Sequence, residues 1–230
     1  MDRQSIDYFK NIPGAISVTE AIALYRIIVT NLDSSRLFKE AFIDFGSYMG
    51  KSSFVAITAL SYLNLSGEFL MIEPAYRYGR RAIPYFTSDS CFEEVKSSVS
   101  KFINADIKVT LHPLTSEEFV AKRLPSDISY AFVDTGEHSK ESIKIETDYL
   151  DSRMVKGGII VFHDFGNQYT APAEAANELV ATGRYRKIEI DWEPIFEIVN
   201  KDKLEEENNS WHWTDHPHPN FIRAIRRLNT

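Results

Sequence analysis

The chain has almost no cysteine. Cys91 stands alone among 230 residues, so no intrachain disulfide can form, and a reducing cytoplasm is the compartment that fits. No apolar run is long enough to cross a bilayer. The opening Met-Asp-Arg-Gln-Ser has no basic segment followed by an apolar one, so a secretory leader is not expected. Positive charge is also in deficit: 26 Lys and Arg face 33 Asp and Glu, for a net charge of −7. An acidic surface argues against non-specific binding to nucleic acid or to an anionic membrane, and neither is expected as a partner. Internal repeats and low-complexity segments are missing too. What is present is globular. The chain is 43% hydrophobic and 26% charged, at a length that suits one domain with a full core.

Hydrophobic periodicity divides the chain into alternating elements. Residues 1–40 read as a helical segment broken at Pro13-Gly14, with a buried face on 18–29. Strands are expected at 41–45, 67–73, 107–111, 128–134 and 159–162, then at 185–190 and 195–199. Helices are expected at 52–62, 90–103, 116–122, 139–154 and 173–181. Residues 201–209 are a charge run that reads as an exposed loop, and Arg223, Arg226 and Arg227 read as a solvated terminal helix. Strand alternating with helix predicts an α/β fold, a mainly parallel sheet covered on both faces. Right-handed crossovers then gather the strand carboxyl ends on one edge. Asp44, Glu73, the loop after Leu111, Asp134 and His163-Asp164 all fall there.

The segment Asp44-Phe-Gly46-Ser-Tyr-Met-Gly50 joins a strand to a helix. Glycines there let a ligand approach the backbone, and the helix N-terminus favours anionic or polar groups. Three readings compete. Gly46-x-x-x-Gly50-Lys51-Ser52 is one residue short of a P-loop, which would make the chain a phosphotransferase with Lys51 on phosphate. Asp44-x-Gly46-x-x-x-Gly50 also suits a nucleoside cofactor. A plain glycine turn is the third. Glu73 lies 23 residues beyond Gly50 (73 − 50), where a carboxylate can accept from both hydroxyls of a ribose. The P-loop reading gives Glu73 no task. Thr115, Ser116 and Glu117 follow the third strand and can bond the edge of an adenine, although Ser116 can equally cap the helix behind it.

Two further motifs carry a resemblance. Val133-Asp134-Thr-Gly136-Glu-His138 and Gly157-Gly158-Ile-Ile-Val-Phe-His163-Asp164 resemble the "VDGxHxY" and "GGxxxxHD" patterns of class I S-adenosylmethionine-dependent methyltransferases. The group in question is the small-molecule and sugar O-methyltransferase-like one, of the methyltransferase domain 24 type. One extra residue precedes the glycine of the first pattern. With the glycine turn, the resemblance covers residues 40–200 by motif order. It implies a Rossmann-like, doubly wound sheet of seven strands with an antiparallel last strand. It also implies a domain at 41–200 between the helical segment 1–40 and a tail at 201–230, these flanks closing over a small-molecule acceptor. A homodimer is compatible with it.

The resemblance implies S-adenosylmethionine at Asp44, Gly46, Gly50, Glu73, Thr115, Ser116 and Asp134. It implies chemistry at His163, Asp134 and Asp164. Some relatives hold a divalent cation at these strand ends. Asp134, His163 and Asp164 would be its ligands here, with Mg²⁺ or Mn²⁺ as the ion, and imidazole favours the latter. Phe165 occupies the place of an amide ligand in the catechol type, so His163 or Asn167 would have to replace it. His163 can instead act as general base or be a bonded strand-end residue. His138 can meet the cofactor, meet the acceptor or cap the next helix. Tyr76, Tyr78, Arg80 and Arg81 can flank the site, and the His- and Trp-rich 211–218 is expected to pack over the sheet edge. The expected activity is methyl transfer to a small-molecule hydroxyl. The alternatives are a non-catalytic cofactor-binding interaction protein and the phosphotransferase.

Overall fold

The computed structural model describes residues 1–14, 16–32, 40–77, 95, 97, 107–122, 125–136, 138–165, 169–195 and 222–228. The readings made for Cys91, Tyr78, Arg80, Arg81, Asn167, 201–209 and 211–218 lie outside those residues, as does nearly all of 90–103.

Two helices lead the chain, α1 (Arg3–Lys10) and α2 (Val18–Asn31). Then come β1 (Glu40–Phe45), α3 (Lys51–Tyr62), β2 (Gly67–Ile72), a 3-10 turn (Pro74–Arg77) and β3 (Ile107–His112). The second half runs α4 (Ser116–Ala121), β4 (Ile128–Val133), α5 (Lys140–Arg153), β5 (Met154–Phe162), α6 (Ala171–Ala181), β6 (Tyr185–Ile188) and β7 (Arg223–Arg227). The strands form one seven-stranded sheet in the order β3-β2-β1-β4-β5-β7-β6. β7 runs antiparallel to both of its neighbours, and the other described pairings are parallel. This is the doubly wound, Rossmann-like arrangement.

The strands are apolar throughout because both faces are covered. Phe42, Phe69, Met71, Tyr130, Phe132, Ile159 and Val161 pack with α1, α2 and α3. Their neighbours in sequence, among them Ile43, Phe45, Leu70, Ile72, Ala131 and Phe162, pack with α4, α5 and α6. Period-two alternation thus feeds two cores, one on each face. The N-terminal helices belong to the first: Phe9, Leu24 and Ile28 are fully buried there.

The last strand corrects the sequence reading. The Arg-rich end is β7; Ile195 lies in a helical turn with 193–194, and the rest of the strand expected at 195–199 falls outside the described residues. Ala224 and Ile225 each bury against one of the two cores, and that pair decides the strand. Arg227 stays half-buried by bonding Asp151 Oδ1 at 2.6 Å and the Tyr185 hydroxyl at 2.9 Å. Three arginines in five residues conceal this, because long side chains can bury their stems while keeping their charge paired.

Register aligns the functional edge. Phe45 pairs with Ile72 and Val133, and Val133 pairs with Phe162. The ladder extends one residue further. Gly46 donates to Ile72 O, Asp134 to Phe45 O and His163 to Val133 O, at 3.0, 3.0 and 3.1 Å. Gly46, Glu73, Asp134 and His163 therefore stand in one row.

Candidate active site

The glycine turn owes its shape to the backbone. Gly46 and Gly50 have φ of 78° and 83°, and Tyr48 between them has φ of 43°. A Cβ on Gly46 would lie 2.6 Å from the Asp134 carbonyl carbon and overlap its oxygen. Gly46 is thus required by the neighbouring strand end, a reason that the cofactor-based reading of this position did not contain. Gly50 caps α3 in the left-handed conformation, with its N–H on Ser47 O at 2.7 Å.

Asp44 lies beneath this turn rather than on it. Its carboxyl is fully buried, accepts from Ser52 Oγ at 2.7 Å and also bonds Ser53 Oγ. Burial pushes its pKa to about 7. Asp44 is a strut under the first turn of α3. Lys51 departs from the P-loop pattern as well. It is buried, with its ammonium 4.4 Å from the centre of the Phe9 ring on α1. Tyr76, after β2, is similarly absorbed: its hydroxyl bonds Ser47 Oγ at 3.0 Å inside the protein.

Glu73 does reach the turn. Its Oε2 accepts from Tyr48 N at 3.0 Å and its Oε1 from Ala75 N at 2.9 Å. Burial raises its pKa, against the pull of those two amides. An ionised carboxylate has about four acceptor positions, so two remain for ligand hydroxyls.

Beyond β3 the two candidates part. Thr115 is the N-cap of α4, in a capping box with Glu118. Ser116, expected as cap or adenine contact, instead donates to the buried Glu146 of α5. Burial lifts the Glu146 pKa to about 8, so this acid is held neutral between two helices.

Among the described residues, the richest cluster lies where β4 and β5 end. His163 Nδ1 stands 3.2 Å from Asp134 Oδ1 and 3.3 Å from Asp164 Oδ2. Its other nitrogen, Nε2, lies 3.2 Å from Glu20 Oε1 on α2. From the exposed side, His138 Nε2 meets Asp164 Oδ2 at 2.5 Å and lies 3.9 Å from Asp134 Oδ1. His138 also stacks on Tyr169, with ring centres 4.1 Å apart. His138 and Asp164 have φ of 46° and 53°. With Tyr48, three of the four described non-glycine residues at positive φ therefore sit on this edge, the kind of strain that collects at functional sites.

Electrostatics divide the cluster's roles. Burial alone would drive the His163 pKa down, but Asp134, Asp164 and Glu20 outweigh it and hold it well above the ordinary value. The bond to Asp164 raises that of His138. Asp164 is held well below the usual carboxylate range: burial pulls it up, and both imidazoles pull it down further. His163 is only 5% exposed. The half-buried Asp134, His138 and Asp164 instead offer three ligand atoms within 4.8 Å of one another. The cation-competent set thus contains His138 where the sequence reading placed His163. Ser139, not His138, caps α5.

Glu20 was missed from the sequence. Ser17-Val-Thr-Glu20 is a legible capping box, but nothing local says that its glutamate meets a histidine on β5. Glu146 was missed for the same reason.

Residues 43–165 match a family model described as a methyltransferase domain, more than half of the chain. The protein belongs to that family. Its fold is similar to the TDP-rhamnose 3'-O-methyltransferase CalS11 of calicheamicin biosynthesis, with 11% identity and a TM-score of 0.53, over 91% of this chain and 77% of that one. A Corynebacterium glutamicum protein gives a TM-score of 0.56 at 9% identity, over 100% and 92% of the two chains. The O-methyltransferase NovP gives 0.54 at 9% identity, over 92% and 80%. Comparison with curated proteins finds no match. Among the described residues, no helix is long and apolar enough to cross a membrane.

Proposed function

We propose that the protein transfers a methyl group from S-adenosylmethionine to a hydroxyl oxygen of a small molecule. The observation that carries this reading is the row of Gly46, Glu73, Asp134 and His163 along one sheet edge, in a chain of the methyltransferase domain family. When bound, S-adenosylmethionine would supply a sulfonium methyl with a neutral thioether as leaving group. Glu73 takes the ribose hydroxyls, and Thr115 lies on the adenine side. Ser116 and Asp44 support the site from behind. Asp134, His138 and Asp164 receive the acceptor, align its oxygen and take its proton.

A divalent cation fits the same three residues. Two carboxylates and an imidazole suit Mn²⁺ better than Mg²⁺, which prefers oxygen ligands. Held there, the ion would lower the pKa of an acceptor hydroxyl. The acidic net charge supports a small acceptor over nucleic acid.

Calorimetry with S-adenosylhomocysteine, and separately with ATP and Mg²⁺, tests the cofactor. Tight binding of the first alone is expected. ATP binding without S-adenosylhomocysteine binding would return the turn to a phosphate site despite Lys51. S-adenosylhomocysteine binding with no transfer to any hydroxyl acceptor would favour a non-catalytic binding protein.

A further inference from the structure

Glu20 is buried in a helix that the site does not otherwise use. Its two oxygens do different work. Oε2 accepts the Ser17 N–H and O–H, both at 2.8 Å, which closes the N-terminus of α2. Oε1 faces His163 Nε2 at 3.2 Å, across 143 residues of sequence. A capping-box glutamate needs only the first of these tasks and normally does it in water, where the charge costs nothing. Here Glu20 is 7% exposed, and burying a carboxylate carries a desolvation penalty.

The imidazole is a rigid ring, so fixing one nitrogen aims the other. The ring also packs against Phe132, with centres 6.0 Å apart. Held at Nε2, it presents Nδ1 to Asp134 and Asp164 at once. Those two carboxylates come from different strand ends, and Asp164 has a left-handed backbone that fixes its direction.

We propose that Glu20 is a positioning residue: through His163 it sets the spacing of Asp134 and Asp164, the carboxylates that receive the acceptor and its cation. This rests on the reading of Asp134, His138 and Asp164 as a cation-binding set. It brings α2 into the site and makes the packing of α2 on the sheet a determinant of cation affinity.

The test is a calorimetric Mn²⁺ titration of the full chain saturated with S-adenosylhomocysteine. Wild type should bind one ion. Glu20→Ala should weaken Mn²⁺ by about 10-fold or more, the usual effect of losing an outer partner, while S-adenosylhomocysteine affinity holds. Glu20→Met fills the volume without accepting a bond and carries the same expectation should the alanine variant not fold. Glu20→Gln should recover most of the loss, since an amide can cap Ser17 and still bond Nε2. Ser17→Ala should lower the melting temperature by a few degrees and leave Mn²⁺ affinity unchanged. Equal Mn²⁺ affinity in wild type and Glu20→Met would overturn the inference and leave the cation site standing. So would a Ser17→Ala variant as weak as Glu20→Ala, because helix capping would then explain both. Wild type that binds S-adenosylhomocysteine but no Mn²⁺ would overturn the cation reading and this inference with it.

Discussion

The two halves of the functional edge are built by opposite means. Around β1 and β2 the working groups are mostly backbone. Two left-handed glycines shape the turn, and Glu73 rests on the amides of Tyr48 and Ala75. Around β4 and β5 they are ionisable side chains, two imidazoles and three carboxylates drawn from α2, the two strand ends and the approach to α5. A backbone site is fixed by local sequence and suits a ligand with constant features. A side-chain cluster can be retuned one residue at a time, which suits a variable acceptor. The expected behaviour of variants follows this division.

The largest effect should come from Gly46, where the two halves touch. Gly46→Val puts a Cβ into the Asp134 carbonyl and a β-branched residue at positive φ. Strain and overpacking together should cost at least about 3 kcal/mol in urea denaturation. A variant that keeps wild-type stability and loses only S-adenosylhomocysteine would mean that the turn is shaped for the ligand alone.

Next comes Asp164→Asn. It keeps the shape of the cluster and removes the charge that both imidazoles face. Turnover should fall by about 10²- to 10⁴-fold, the usual size of a lost proton-transfer or acceptor group. Affinity for S-adenosylhomocysteine should not move, since this residue belongs to the other half. A matching loss of cofactor binding would abolish the division drawn here.

Glu73→Ala should show the reverse pattern. The ribose hydroxyls lose an acceptor, so S-adenosylhomocysteine binding should weaken by about 1–3 kcal/mol in calorimetry. Unchanged affinity would remove Glu73 from the ribose and leave it as a brace for Tyr48.

The last effect lies outside both halves, beneath the edge, at Glu146, and only a change of pH reveals it. Burial raises its folded pKa to about 8, from an ordinary value of 4.5. The folded state therefore holds a proton that the unfolded state has released between those values. This contribution to stability is complete below about pH 4.5 and is lost as pH rises toward 8. Glu146→Gln has no such proton and can keep the bond to Ser116. Stability curves against pH should converge below about pH 4.5 and separate by a few kcal/mol at pH 8, with the variant the more stable. Each tenfold change in proton affinity is worth about 1.4 kcal/mol. Parallel curves would mean that Glu146 reaches water.

Much of this architecture could be read from residues close together in the chain. Alternation of strand and helix from residue 41 to 181, apolar strands and glycines at a strand-to-helix turn determine the parallel sheet and its edge. The order of the motifs pointed to the family. These signals survive in sequence because backbone conformation and period-two or 3.6-residue burial are local properties. Tertiary structure alone decided the rest. Lys51 turned toward Phe9, Asp44 sank below the turn, and Ser116 found Glu146. Ala224 and Ile225 became a strand because two cores had room for them. His163 withdrew behind the carboxylates, and His138 took the exposed side. A charged group takes the role that its distant neighbours allow, through burial and pairing, and those neighbours stand in no fixed relation to it along the chain. The bond from Glu20 to His163, between the second helix and the fifth strand, exists only once the sheet has formed between them.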